Sequence, residues 1–147
     1  MFYGTSSQGL NASPTTVITT LDKQRFDLDS TGNTTLVSFY SPSCSFCQKD
    51  ATTLNALQQD FLQRKVNVIA VAMPYDTNDD IAQFRQKNDV VYHVAHDTDG
   101  AIANSFPDVR FTPTTFLLDK SGRIIWRHTG KLRIAEITQE IEQDIQR

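Results

Sequence analysis

Cys44 and Cys47 are the only cysteines in this chain of 147 residues, with Ser45 and Phe46 between them. Before them, Leu36-Val37-Ser38-Phe39-Tyr40 reads as a buried strand. After them, Asp50, Leu54, Leu57 and Phe61 recur at helical spacing. A Cys-x-x-Cys pair at a strand-to-helix junction sets its first thiol against unpaired N–H groups at the positive helix end, where a thiolate is favoured. The second thiol lies about one turn further on, close enough to close a disulfide. This is the layout of a dithiol redox site, with Cys44 as nucleophile and Cys47 as resolving thiol. A structural disulfide is the weaker reading, because so short a loop removes little chain entropy.

Asp50 lies three residues after Cys47 and four before Leu54, which puts it on the inward face of the same helix. A carboxylate there is costly unless it has a partner or a task. Lys49 or Arg64 would be its partner if it sat at the edge of the stripe instead. The histidines offer a rival chemistry, a zinc site of Cys44, Cys47, His93 and His96. The His spacing is tighter than usual for such a site, and both fall at a strand end where they would diverge, so no metal is expected. His128 reads as a surface residue. The Pro-x-x-x-Thr-x-x-Cys frame of peroxide-reducing enzymes is absent, since Val37 and Ser41 stand where its Pro and Thr would be.

The elements that must hold this pair are legible along the chain. Val17–Thr20 and Gln24–Leu28 read as a hairpin turning at Leu21-Asp22-Lys23, and a strand follows at 34–40. A helix over 44–64 leads to the apolar strand 66–73, ended by Pro74. Asn78 or Asp79 caps a helix to about Asn88, with Ile81 and Phe84 inward. Strand 91–95, a short helix 100–106, strand 114–118 and its hairpin partner 123–129 come next, turning at Asp119-Lys120-Ser121-Gly122. The last helix carries Ile134, Ile137, Ile141 and Ile145 as one stripe. Parallel units followed by an antiparallel hairpin imply an α/β architecture with a mixed central sheet.

Bulk properties narrow the field. The chain is 39% hydrophobic and 21% charged with net charge −3, enough for one domain over 15–147 with its own core. No basic run or basic aromatic face suggests nucleic acid, and the longest apolar stretch is too short to span a bilayer. Residues 1–14 read as a flexible tail or linker. Met1–Gly9 lacks the basic and apolar regions of a signal peptide, so the sequence as it stands reads as cytoplasmic.

Three motifs, taken with the element order, carry a resemblance. They are Phe39-Tyr40-Ser41-Pro42-Ser43-Cys44-Ser45-Phe46-Cys47-Gln48-Lys49-Asp50, then Thr112-Pro113-Thr114-Thr115-Phe116-Leu117-Leu118-Asp119-Lys120-Ser121-Gly122, and the insert Val94-Ala95-His96-Asp97-Thr98-Asp99-Gly100-Ala101-Ile102-Ala103. On these the chain resembles the thioredoxin fold, and most closely its TlpA/ResA-like thiol–disulfide oxidoreductases. It departs from them in having Tyr40 and Ser43 where Trp is frequent, and Ser-Phe between the cysteines.

The resemblance implies that Asp50 takes the proton from Cys47. It also implies that Thr112–Pro113 is cis, with the Thr112 backbone facing a substrate strand, and that Phe46 and Tyr40 lie at the substrate face. Further implications are an extracytoplasmic, periplasmic setting with a tether in a segment outside this sequence, and a membrane electron donor. Protein disulfides, apocytochromes or other exported thiol proteins among them, would be the substrates of a monomer that works more as a reductase than as an oxidase or isomerase. No chemical cofactor is needed, because the dithiol carries the electrons. The alternative class is a copper-binding metallochaperone of the same fold.

Overall fold

The computed structural model describes residues 10–147. Two short antiparallel strands open it, β1 (Val17–Thr19) and β2 (Arg25–Asp27). Then come β3 (Thr35–Tyr40), α1 (Ser45–Asp60), β4 (Asn67–Ala72), α2 (Asn78–Lys87), β5 (His93–His96) and α3 (Ala101–Asn104). β6 (Thr114–Leu118), β7 (Ile124–Thr129) and α4 (Ile134–Ile145) complete the chain. The last five strands form one sheet in the order β5-β4-β3-β6-β7. It is parallel across β5, β4 and β3, and antiparallel from β3 to β6 and from β6 to β7. This is the mixed α/β sheet that the element order implies, in the thioredoxin arrangement that the resemblance implies.

All six residues of β3 are buried, so their alternation feeds two cores rather than one core and solvent. Leu36 and Tyr40 enter the core made with Leu54, Leu57, Phe84, Ile137 and Ile141 of α1, α2 and α4. Val37 and Phe39 enter the other, closed by Ile18, Leu28 and Phe106 with Ile102 of α3 packed against it. Each such apolar side chain contributes roughly 1.5–3 kcal/mol when buried. The two layers clamp β3, and the dithiol loop leaves from its end.

Residues 1–9 of the expected tail lie outside the described residues. From Leu10 onward the chain lies on the sheet: Asn11 N–H donates to Ile124 O and Ile124 N–H to Ala12 O, both at 2.8 Å.

Four boundaries differ from expectation for local reasons. α1 stops at Asp60, because Phe61 leaves helical geometry to bury its ring, and a 3-10 turn, Leu62–Arg64, closes with Lys65 left-handed. α2 is capped by Thr77, whose Oγ1 accepts from Asp80 N–H at 3.1 Å, while the Asn78 side chain is bonded to His96. β5 begins at His93, since the Val91 N–H is taken by Asn55 Oδ1 at 2.9 Å. Ile134 is 44% exposed, so the inward stripe of α4 starts at Ile137.

Candidate dithiol site

Ser41–Ser43 bring the chain from β3 into α1 through a turn closed by Cys44 N–H on Ser41 O, 3.0 Å. Cys44 is the N-cap of α1, in extended geometry, and its Sγ accepts from Cys47 N–H at 3.3 Å. A sulfur in that position takes one of the orphan N–H groups of the helix start, which is the interaction that favours an anion there. Both cysteines are free thiols, Cys44 half-buried and Cys47 buried. Burial, and after it the hydrogen bond with Cys44, pushes the Cys47 thiol well above its ordinary range. The Cys44 thiol also points at Thr112 O, 3.5 Å away, and the Thr112–Pro113 bond is cis as expected.

Asp50 is 2% exposed. Its Oδ1 accepts from Leu132 N–H at 3.0 Å, and its Oδ2 is buried without a partner among the described residues. Burial raises its carboxyl to about 6, against the opposing pull of the Leu132 N–H, Lys131 and His128. Neither solvent-side alternative holds it. Lys49 lies over the Phe46 ring, and Arg64 pairs with Glu142 at 2.8 Å. Along α1 the carboxyl follows Cys47 by three residues, on the same face.

Around the pair, Phe46 is 49% exposed and Tyr75 and Phe111 are 67% exposed. Tyr40 is placed differently from the substrate face expected of it: it is buried against Phe84, 5.1 Å between rings, and its hydroxyl has no partner among the described residues. That position suits support of the dithiol from beneath.

Three contributors carried no sequence signal of their own. Asp76 accepts from Ser41 Oγ at 2.6 Å and from Met73 N–H at 2.9 Å, tying the loop after β4 to the cysteine turn. Tyr92 is buried, and its hydroxyl is pushed up by burial first and then by Tyr40, Asp50 and Cys47. Leu132 supplies only its N–H, a backbone role that no residue type announces. The remaining histidines lie apart from the dithiol: His93 packs on Phe26 at 4.9 Å, and His96 bonds Asn78 at 3.0 Å. Among the described residues no group of three or more His, Cys, Asp or Glu is placed to hold a metal ion.

A half-buried thiol on a helix cap, a buried thiol behind it and a buried carboxyl on the same helix face are parts suited to disulfide exchange. The chain belongs to the Redoxin family, which it matches over residues 8–143. It is similar to the thiol-disulfide oxidoreductase ResA of Bacillus thuringiensis subsp. konkukian (strain 97-27), 28% identical over 119 residues, 80% of this chain and 68% of that protein. ResA of Geobacillus thermodenitrificans (strain NG80-2) is 23% identical over 133 residues, 90% of this chain and 75% of that one.

Among solved structures, a Neisseria meningitidis protein described as a thioredoxin superposes with TM-score 0.82 at 25% identity, covering 96% of this chain and 92% of its own. A Chlorobium tepidum protein described as a DsbE thiol:disulfide interchange protein shares the fold with TM-score 0.78 at 22% identity, covering 96% and 99%. The chain is a ResA-like thiol–disulfide oxidoreductase, an enzyme with its cysteine pair at the start of α1.

Proposed function

We propose that this enzyme is a reductant of protein disulfides in which Cys44 attacks, Cys47 resolves and Asp50 takes the proton that Cys47 must lose. One observation carries the reading: a buried thiol and a buried carboxyl sit one helical turn apart, each disfavoured as an anion by burial. The Cys44 thiolate bonds to one substrate sulfur as the substrate S–S bond breaks, and the departing sulfur takes a proton from water. Cys47 then gives its proton to Asp50 and attacks Cys44, so the Cys44–Cys47 disulfide forms as the mixed disulfide breaks, and the second substrate sulfur leaves as a thiolate that takes a proton from water. Two electrons and two protons have passed to the substrate. A thiol pushed far above neutrality does not ionise unaided at pH 7, which is why a base beside it has work to do.

Thr112, Pro113 and Phe46 form the substrate-facing side of this reading, with the Thr112 carbonyl beside Cys44 and Phe46 open to solvent. Tyr40 packs below them. By its likeness to the ResA proteins, we place the enzyme outside the cytoplasm. There, as a monomer, it would be recharged by a membrane dithiol donor and would serve exported thiol proteins such as apocytochromes. No helix among the described residues is long and apolar enough to cross a membrane.

The test is the Cys44–Cys47 reduction potential, measured by equilibration against a dithiol buffer. A value near or below roughly −250 mV is expected of a reductant, and a value near about −120 mV would turn the reading to an oxidase or isomerase.

A further inference from the structure

The donor that holds Asp50 belongs to a peptide group with a second attachment. Leu132 N–H donates to Asp50 Oδ1 at 3.0 Å. The carbonyl of that same peptide unit, Lys131 O, lies 3.0 Å from His128 Nε2. A carbonyl only accepts, so Nε2 carries the hydrogen, and Nδ1 is the atom that would take a further proton. The imidazole is held on β7 by stacking on Trp126, with 5.7 Å between centroids and 7° between planes. One amide plane therefore joins imidazole to carboxylate, Nε2–H to O=C and N–H to Oδ1. Hydrogen bonds in series polarise one another, by about 10–30% per bond. A stronger donor at the Lys131 carbonyl makes the Leu132 N–H a better donor to the carboxylate.

The other groups facing Asp50 do not offer this coupling. Lys131 acts on it as a charge from the exposed loop, Tyr92 faces it as a buried hydroxyl ahead of β5, and Cys47 faces it along α1. Lys49 and Arg64 of its own segment are engaged with Phe46 and Glu142.

We propose that His128 is a positioning residue for Asp50, acting through the Lys131–Leu132 peptide group to set how readily the carboxylate takes and releases a proton. This rests on the reading of Asp50 as proton acceptor for Cys47. His128 touches neither substrate nor sulfur in this role; it tunes the group that receives the proton.

Two variants separate the parts of the device. His128→Phe keeps a ring on Trp126 and removes the donor, whereas His128→Gln keeps an N–H of similar reach and removes the imidazole's second protonation. The readout is the Asp50 carboxyl carbon, followed by NMR against pH in the reduced protein. In His128→Phe the midpoint should move up by about half a unit, and in His128→Gln it should stay nearer the unsubstituted value. No movement in His128→Phe, or equal movement in both, overturns the proposal. The unsubstituted protein gives a second test. Its Leu132 amide proton should respond to Asp50 ionisation more strongly than that of His128→Phe does, and equal responses in the two proteins overturn the coupling. The two readings fail separately. Asp50→Asn with unchanged release of a mixed disulfide would remove the role of Asp50 in the chemistry, while the NMR titrations report the coupling whatever that role is.

Discussion

Asp50 is the residue on which the proposed chemistry and the stability of this protein meet. Its carboxyl rises to about 6 in the folded chain from about 3.9 when unfolded. Between those values the folded state binds more protons than the unfolded one, so stability falls as pH rises from about 4 to about 6 and stays reduced above. Two units amount to about 3 kcal/mol as a ceiling. Asp50→Asn keeps an acceptor for the Leu132 N–H and cannot ionise. It should therefore raise the unfolding free energy at pH 7 by roughly 1–3 kcal/mol, with the gain gone by about pH 4. Urea unfolding at the two pH values checks this, and equal effects at both would show that the charge is not the cause.

At this scale the sequence carried much of the site. The Cys44–Cys47 spacing and the helical offset of Asp50 are local, and local geometry is what sequence spacing encodes. Asp76, Tyr92 and the Leu132 amide are brought in by tertiary packing or by backbone alone, which leaves no mark on spacing.

Among the elements, the hairpin of β6 and β7 holds Pro113 and His128 at the same open end, where Thr114 pairs with Thr129 and Thr115 with His128. Its turn is organised by Asp119, whose Oδ1 accepts from Ser121 N–H at 2.9 Å and Arg123 N–H at 3.0 Å. Gly122 sits there at φ +89, where an added Cβ would run into the Leu28 carbonyl oxygen and lie 2.8 Å from Asp29 Cα. Both neighbours are backbone, so neither can swing aside. Gly122→Ala should cost about 2 kcal/mol or more, read as a lower urea midpoint, whereas an unchanged midpoint would mean that the β2–β3 connection yields freely. The hairpin and its turn residues were readable in advance because Asp and Gly announce them. The ends of α1 and β5 were not, since Phe61 and Asn55 settle them through contacts distant from any local propensity.

For the whole molecule, the question is which redox state the fold prefers. Both cores converge on β3 and the dithiol hangs from its end, so closing the disulfide and unfolding the chain are linked. If the protein is a reductant, its folded state favours the disulfide, and the oxidised form should unfold at the higher denaturant concentration. Each 30 mV of potential corresponds to about 1.4 kcal/mol in that difference. A reduced form more stable than the oxidised one would place the protein with the oxidants. The two-layer plan that makes this linkage was legible from the continuous apolar run of β4 and the stripes of the helices. The attachment of Asn11 and Ala12 to Ile124 was not, because it is made through backbone groups, which leave no pattern of side chains to read.

The central claim is that Asp50 enables Cys47 to release the substrate, and the most direct measurement is the rate of that release. A mixed disulfide between Cys44 and a chromophoric thiol, followed by stopped flow across pH 4–9, isolates the step. The unsubstituted enzyme should accelerate through an inflection near the Asp50 midpoint of about 6. Asp50→Asn should lose that inflection and slow by roughly a hundredfold near pH 7. An Asp50→Asn enzyme that matches the unsubstituted rate and profile would contradict the claim outright.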